Sequence, residues 1–231
     1  MPPKLISIVI PVYCEESNIK NLYAQLEAVT TMLVQYDWEY IFVNDGSPDN
    51  SYAVLKSLAD DDPKVKVLSL SRNFGKENAL SAGVMSTESD AVITIDADLQ
   101  HPPELIPEMI KKWEKDIDIV VTIRKSISQP LYRKLGGKLF YMAMNKISHI
   151  KMIPRSTDFR LIDKKVVDVF KTMSEKSRIY RGLIDWLGFS KDYVEFSASS
   201  RESGTSGFSY KSLLQLTISS ITSFSALPLK V

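Results

Sequence analysis

The 231-residue sequence has a single cysteine, Cys14. One thiol excludes an internal disulfide and a cysteine-rich zinc site, and it is typical of a protein in a reducing compartment. The 29 basic and 28 acidic side chains leave a formal net charge of +1, so no overall positive field indicates a nucleic-acid-binding protein. With 44% hydrophobic and 25% charged residues, the composition excludes a disordered chain and predicts a globular core.

Long apolar runs are also missing. No stretch reaches the roughly 20 mainly apolar residues that a membrane-spanning helix needs. The N-terminus lacks the pattern of a signal peptide, so we expect the chain to stay in the compartment where it is made. Between Lys211 and Lys230 there is no charged residue, and leucine and isoleucine recur at helical spacing. This predicts an amphipathic helix over 211–231, which either packs on the protein body or lies in a membrane interface.

The fold class follows from apolar, β-branched segments that recur about every 25 to 35 residues, the length of a strand plus a crossover helix. These predicted strands span 5–12, 40–43, 65–70, 91–95 and 117–123. Helical patterns lie between them, which predicts an α/β fold with a mainly parallel, Rossmann-like sheet and helices on both faces. Beyond Arg124 we expect a helix over 131–150, helical segments near 166–173 and 179–187, and a strand over 193–197.

Polar clusters follow the first, second and fourth of the predicted strands, beginning near Pro11, Asn44 and Asp96. Ligands of open parallel sheets bind beyond the carboxyl ends of the strands, so these clusters are candidate site residues. Asp96 and Asp98 are two positions apart and would face the same side on an extended backbone. Such a pair suits Mg²⁺ or Mn²⁺, although Asp98 could instead cap the helix that follows. His101 could be a ligand, but a role in the loop or cap is the favoured interpretation.

Two further strand ends carry candidate binding residues. Asp45 could accept hydrogen bonds from a base or ribose, or it could simply belong to the turn that leads into the next helix. Arg72 and Lys76 follow the third strand. They are either solvated surface charges or contacts to a phosphate or base.

Five motifs in this order resemble the inverting glycosyltransferases of family 2. The motifs are SIVIPVYxEE from Ser7, VNDGS from Val43, RNFGK from Arg72, DADLQHPPE from Asp96 and RxSGTS from Arg201. Within that family, DADLQHPPE together with TDFRL from Thr157 and RGLIDWLG from Arg181 is similar to polyprenyl-phosphate glycosyltransferases. That group includes dolichyl-phosphate mannose synthase and bactoprenol glucosyltransferase. The resemblance implies a GT-A catalytic domain over 1–210, followed by the helix over 211–231.

The resemblance also implies roles for individual side chains. Those lining the nucleoside pocket would be Pro11, Tyr13, Glu15 and Asp45, with Asp96 nearby. Asp98 and Gln100 would hold the metal, Arg124 and Arg201 would meet phosphate charge, and Ser206 would lie in a loop that closes over the site. Asp158 matches the position proposed as a catalytic carboxylate in the bactoprenol branch.

The sequence departs from the family pattern at three positions. Cys14 stands where Asn is common, Asn44 where Asp is frequent, and Gly207 where Lys often follows Ser206. The last departure puts part of the phosphate-binding loop in doubt. Members of the bactoprenol branch usually continue into membrane helices. This chain, which ends at Val231, is therefore expected to be either truncated or a naturally soluble relative, and truncation is the favoured interpretation.

The expected reaction moves a hexose from a nucleotide diphosphate to a polyprenyl phosphate at the cytoplasmic face of the membrane. UDP-glucose or a related UDP-sugar is the favoured donor, and a GDP-sugar stays open. One alternative is transfer to a glycan hydroxyl, for which a base at Asp158 would matter more. Another is a non-catalytic nucleotide-binding module, and a phosphoacceptor receiver domain is the least favoured. A homo-oligomer is among the assembly states that the sequence leaves open.

Overall fold

A computed structural model describes residues 2–125, 155–173 and 180–197 of the chain. The chain divides into two compact units, Met1–Lys125 with Ser156–Arg201 and Ser126–Arg155 with Glu202–Val231. The first unit holds every strand and helix given below. The predicted helices over 131–150 and 211–231 lie outside the described residues, so the predicted boundary at residue 210 stays a prediction. In the described part of the chain, no helix has both the length and the apolar character needed to cross a membrane.

The described residues form a seven-stranded sheet with the order β3-β2-β1-β4-β6-β5-β7. Only β6 runs antiparallel to its neighbours β4 and β5, and the other pairings in this sheet are parallel. The predicted mainly parallel α/β sheet is therefore confirmed. The strands are β1 (Lys4–Val12), β2 (Tyr36–Asn44), β3 (Val65–Ser69), β4 (Ala91–Thr94), β5 (Ile119–Arg124), β6 (Ser156–Asp163) and β7 (Lys191–Phe196).

Helices cover both faces of this sheet. Ile8 and Ile10 of β1 join a core cluster with Leu22 of the first helix. Val9 points to the opposite face, because successive strand residues alternate, and there it approaches Gly83 of the third helix. The helices are α1 (Ile19–Thr30), α2 (Ser51–Asp61), α3 (Lys76–Met85), α4 (Ile106–Trp113), α5 (Lys164–Thr172) and α6 (Tyr180–Trp186).

Strand β2 begins at Tyr36, four residues before the segment predicted from its apolar run. The extra residues include Asp37 and Glu39, whose charges hide the strand from a search for apolar runs. Glu39 is nevertheless buried, since its carboxylate accepts hydrogen bonds from the Ser7 hydroxyl and the Lys66 ammonium. A buried carboxylate with two such partners is tolerated inside a sheet.

Candidate active site

The candidate site lies at the edge where β1, β2 and β4 end. Strand β6 runs the other way, so its first residues reach the same edge. Thr94, the last residue of β4, pairs with Arg160 of β6; Asp96 follows Thr94 by two positions and Asp158 precedes Arg160 by two. The antiparallel register thus brings two carboxylates 62 positions apart in sequence to adjacent places.

Asp45 fastens the loop that leads into α3. Its side chain is buried, and its two oxygens accept hydrogen bonds from the backbone N–H groups of Phe74 at 2.7 Å and Gly75 at 2.9 Å. Gly46 has a φ of +65°, and a Cβ at this position would lie 2.4 Å from the carbonyl carbon of Arg72. The two loops therefore pack backbone against backbone, and that contact fixes where α3 begins.

Lys76 is the first residue of α3 and connects two carboxylates. Its Nζ lies 2.6 Å from Oδ1 of Asp96 and 2.7 Å from Oδ2 of Asp158. The Lys76 side chain is 42% exposed, whereas that of Asp158 is 5% exposed. Lys76 thus lies at the candidate site rather than on a distant surface, and it neutralises part of the negative charge gathered there.

Asp158 is also paired with an arginine from α6. Oδ1 of Asp158 accepts a hydrogen bond from Nε of Arg181 at 2.9 Å, and Nη2 of the same guanidinium lies 2.7 Å from this oxygen in an ion pair. Burial by itself would raise the pKa of Asp158, but Lys76 and Arg181 outweigh it and hold that pKa well below its usual range. Asp158 is therefore ionised at neutral pH, and a carboxylate with so low a pKa is a weak proton acceptor.

A second buried ion pair fixes α6 relative to β6. Arg160 is fully buried, and its Nη1 lies 3.2 Å from Oδ1 of Asp185, which also takes Nζ of Lys191 at 2.9 Å. Nε of Arg160 donates to the backbone carbonyl of Thr157 at 3.0 Å. Because Asp185 belongs to α6, these contacts hold the helix that carries Arg181.

The donor atoms of Asp96, Asp98 and His101 all lie within 4.8 Å of one another. His101 is buried, and neither of its ring nitrogens has a hydrogen-bond partner among the described residues. Its Nδ1 is 3.7 Å from Oδ2 of Asp96, beyond hydrogen-bond distance. Burial lowers the pKa of His101, which favours the neutral imidazole that coordinates metals. This donor set suits a divalent cation.

Gln100 and Arg124 contact each other beside this cluster. Nη2 of Arg124, the last residue of β5, donates to Oε1 of Gln100 at 2.9 Å, and the backbone N–H of Gln100 donates to Oδ1 of Asp98 at 3.2 Å. Nε of Arg124 is buried and has no hydrogen-bond partner within the described ranges. An anionic ligand would supply an acceptor for this donor.

The end of β1 contributes a more open part of the site. Pro11 is buried within the strand, while the Tyr13 side chain just beyond it is 46% exposed. The backbone N–H of Glu15 donates to the Ser51 hydroxyl at 3.1 Å, which ties this loop to the start of α2. Arg201 and Ser206 lie outside the described residues, so their predicted roles remain predictions.

Two charged residues of the site went unassigned in the sequence. Arg181 appeared only as the first letter of a resembling motif, and Glu77 was not singled out. The Glu77 carboxylate accepts a hydrogen bond from the backbone N–H of Arg181 at 3.4 Å, and burial and the nearby Asp158 raise its pKa. No spacing rule connects residues 77, 158 and 181, so only the folded chain brings them together.

The model of the glycosyl transferase family 2 domain matches residues 7–174 of the sequence. The chain belongs to glycosyltransferase family 2. The motifs that resembled this family in sequence thus agree with the geometry, because DADLQH supplies the carboxylates and histidine that meet beyond β4.

Curated relatives cover nearly the whole chain. An uncharacterized glycosyltransferase of Synechocystis is 42% identical over 98% of this chain and 71% of its own length. The bactoprenol glucosyl transferase of Shigella phage SfX is 41% identical over 98% of this chain and 74% of its own length. The similarity to the phage bactoprenol glucosyl transferase therefore extends beyond residues 7–174, the part that matches the family model.

Solved structures with the same fold are much more distant in sequence. Glucosyl-3-phosphoglycerate synthase from Mycobacterium tuberculosis, solved with Mn²⁺, UDP and glucosyl-3-phosphoglycerate, has a TM-score of 0.61 and 16% identity, covering 96% of this chain and 78% of the synthase. The mannosyltransferase PcManGT from Pyrobaculum calidifontis, solved with GDP-Man and Mn²⁺, has a TM-score of 0.56 and 14% identity, covering 86% of this chain and 57% of the transferase. These structures confirm the GT-A-like fold.

Proposed function

We propose that this family 2 glycosyltransferase moves a hexose, with glucose favoured, from a UDP-linked donor to a polyprenyl phosphate with inversion at the anomeric carbon. The observation that carries the proposal is the 41% identity, over 98% of the chain, to a relative named bactoprenol glucosyl transferase. The reaction would take place at the cytoplasmic face of the membrane, with residues 211–231 in contact with the lipid surface.

The chemistry demands charge neutralisation more than proton transfer. An oxygen of the acceptor phosphate attacks the anomeric carbon, the bond from that carbon to the donor phosphate oxygen breaks, and the nucleoside diphosphate leaves with the electron pair. Cationic groups that meet the developing phosphate charge lower the barrier. We assign this task to Arg201 and to Arg124, whose buried Nε has no hydrogen-bond partner among the described residues.

Residues beyond β4 fit a divalent cation, Mg²⁺ or Mn²⁺. Asp98 and Gln100 are the ligands that the family resemblance implies, and Asp96 and His101 offer further donor atoms beside them. When bound, the cation would act as a Lewis acid that neutralises the diphosphate. Carboxylate and carbonyl oxygens are the donors that these two metals prefer.

The nucleoside would bind where β1 and β2 end. Pro11, Tyr13 and Glu15 come from the first strand end, and Asp45 from the second. The exposed Tyr13 ring could lie against a base. The two oxygens of Asp45 already hold the backbone at Phe74 and Gly75, so this carboxylate would shape the pocket as well as line it.

The test measures release of the nucleoside diphosphate by mass spectrometry. The purified chain is incubated with Mg²⁺ or Mn²⁺ and a panel of UDP- and GDP-sugars, with and without a short polyprenyl phosphate. Lipid-dependent release from one donor is the expected result, and it would also name the sugar. Release that ignores the lipid would contradict the polyprenyl-phosphate acceptor and favour a glycan.

The same assay tests the cation. We expect EDTA and Asp98→Asn each to reduce release by at least about a hundredfold, as the loss of one charge-stabilising group typically does. Asp60→Asn, an exposed carboxylate on α2, is the control and should keep the original rate. Undiminished release after both treatments would contradict metal dependence.

A further inference from the structure

We propose that Asp158 is a positioning residue and not the base of the reaction: it holds Arg181 at the site, and Arg181 binds an anionic oxygen of the substrate. This inference rests on the proposed function, because an acceptor phosphate is already ionised near neutral pH. Such an acceptor has little need of a group that removes a proton.

The contacts of Asp158 carry the inference. Oδ1 accepts a hydrogen bond from Nε of Arg181 at 2.9 Å and lies 2.7 Å from Nη2 of that guanidinium, and Oδ2 lies 2.7 Å from Nζ of Lys76. The side chain is only 5% exposed. A general base needs an oxygen within hydrogen-bond reach of the proton that it removes, whereas both oxygens of Asp158 are already engaged by cations.

Arg181 is the residue whose placement depends on this arrangement. Asp158 accepts one of the five N–H donors of the guanidinium as a hydrogen bond and forms an ion pair with it. Among the described residues, this guanidinium forms no second hydrogen bond or ion pair, although the charges of Glu77 and Asp96 lie close enough to act on it. Its side chain is 31% exposed at the edge that also carries Asp96 and Lys76. An arginine anchored at one side and open at the other is suited to a phosphate oxygen.

The surroundings of Arg181 are built to hold it in one place. Its backbone N–H donates to the carboxylate of Glu77 at 3.4 Å, and its helix is fixed through the buried pair of Arg160 and Asp185. Misplacing a group that orients a substrate by about 1 Å can cost about a hundredfold in rate. Removing the Asp158 anchor should therefore slow the reaction even though Asp158 itself accepts no proton.

The decisive test compares two substitutions of Asp158 in a background that lacks Lys76. An asparagine accepts no proton in the range where proteins fold, but its Oδ1 can still accept the hydrogen bond from Nε of Arg181. In the original chain, the amide nitrogen of this asparagine would face the Lys76 ammonium. Both groups are hydrogen-bond donors, so that contact is unfavourable. Lys76→Gln removes that conflict, because the glutamine carbonyl can accept the asparagine amide.

Nucleoside diphosphate release is measured for K76Q, K76Q/D158N and K76Q/D158A, in single-turnover reactions with excess enzyme so that slow variants stay measurable. Positioning predicts that K76Q/D158N is faster than K76Q/D158A by about tenfold or more, because only asparagine keeps the Arg181 contact. Equal rates for K76Q/D158N and K76Q/D158A would overturn the proposal. Two equally slow variants would indicate the loss of a base, and two variants as fast as K76Q would indicate that Asp158 has no role in the reaction.

Two more measurements test whether Asp158 acts as a positioning residue. K76Q/R181M should be at least as slow as K76Q/D158A, because Asp158 acts through Arg181, and a faster rate would overturn the proposal. The original chain assayed in D₂O should show no slowing of the chemical step, whereas removal of a proton by a base would slow it. Thermal melts of all variants identify any that fail to fold, and the D₂O comparison then decides.

The test of Asp158 and the test of the proposed function give independent results. The original chain with and without polyprenyl phosphate decides the acceptor. The ratio of the two Asp158 variants decides the role of Asp158, and it can be read from donor consumption with whichever acceptor supports turnover.

Discussion

At the residue scale, charged side chains at the sheet edge are stabilised by partners from other elements. Asp96, Lys76, Asp158 and Arg181 form a row in which each negative charge lies between or beside positive ones. Removing one member of a buried pair typically costs about 3 to 5 kcal/mol because it leaves a charge uncompensated. Such a row keeps its geometry before any substrate arrives.

Asp45 offers a test at this scale. Asp45→Ala removes the acceptor of two backbone N–H groups, at Phe74 and Gly75. Hydrogen bonds to a charged group are worth about 1.5 to 3 kcal/mol, so we expect the free energy of unfolding to fall by about 2 kcal/mol. Urea unfolding measures this change, and isothermal titration with UDP should show weaker binding because the loop before α3 loosens.

Two variants control that experiment. Asp45→Asn keeps one oxygen as an acceptor and should lose less stability than Asp45→Ala. Asp60→Ala removes an exposed carboxylate from α2 and should change the free energy of unfolding by less than about 0.5 kcal/mol. If Asp45→Ala is no less stable than Asp60→Ala, Asp45 does not fasten the loop.

At the element scale, α3 packs closely against the sheet, and this packing determines where Lys76, the first residue of the helix, lies. Gly83 in that helix faces β1 and β2, and a Cβ there would lie 2.4 Å from Cγ1 of Val9 and 2.8 Å from Cγ2 of Val43. A glycine inside a helix costs about 1 kcal/mol relative to alanine. Here its small size allows the approach of helix and sheet.

Gly83→Ala should therefore destabilise the fold despite the better helix propensity of alanine. Overpacking a well-packed core costs about 1 to 3 kcal/mol, so we expect a net loss of about 1 kcal/mol in urea unfolding. Displacing α3 would also move Lys76 away from Asp96 and Asp158, which should lower the rate of nucleoside diphosphate release.

Val9→Ala supplies the matched background, because it removes the methyl group that the new Cβ would meet. In that background Gly83→Ala should cost less than in the original chain, by about 1 kcal/mol. Equal costs in the two backgrounds would show that the contact between α3 and β1 does not set the position of the helix.

At the scale of the whole molecule, the segment over 211–231, which carries no charge between Lys211 and Lys230, is the part that we propose contacts the lipid surface. We expect deletion of residues 212–231 to release the protein from anionic liposomes without changing its Tm, because an interfacial helix contributes apolar area to lipid rather than to the core. Liposome co-sedimentation and thermal melting measure the two effects.

A full-length control is available for the deletion. Replacing Leu214, Ile218 and Ile221 with serine keeps the chain length and should also release the protein from liposomes. Retained liposome binding, or a large drop in Tm after the deletion, would instead indicate a helix packed on the protein body.

Sequence periodicity was sufficient for the fold class because each crossover unit is local. The alternation of apolar strands with helices carrying Ile19, Leu22 and Leu26 requires no knowledge of distant contacts, and the mainly parallel sheet was predicted correctly. The strand-end rule also found Asp96 and Asp98 as a candidate cation site. It missed the start of β2, because Glu39 is a buried charge whose partners, Ser7 and Lys66, lie on other strands.

By itself, the sequence determined the α/β class and the family and indicated the edge of the sheet that carries the candidate site, because these depend on short-range patterns and ordered motifs. Only the tertiary structure decided the contacts of Asp158. Strand β6 enters the sheet antiparallel beside β4, and helix α6 brings Arg181 to the same edge. These pairings depend on strand order and direction, which the spacing of residues along the chain does not encode.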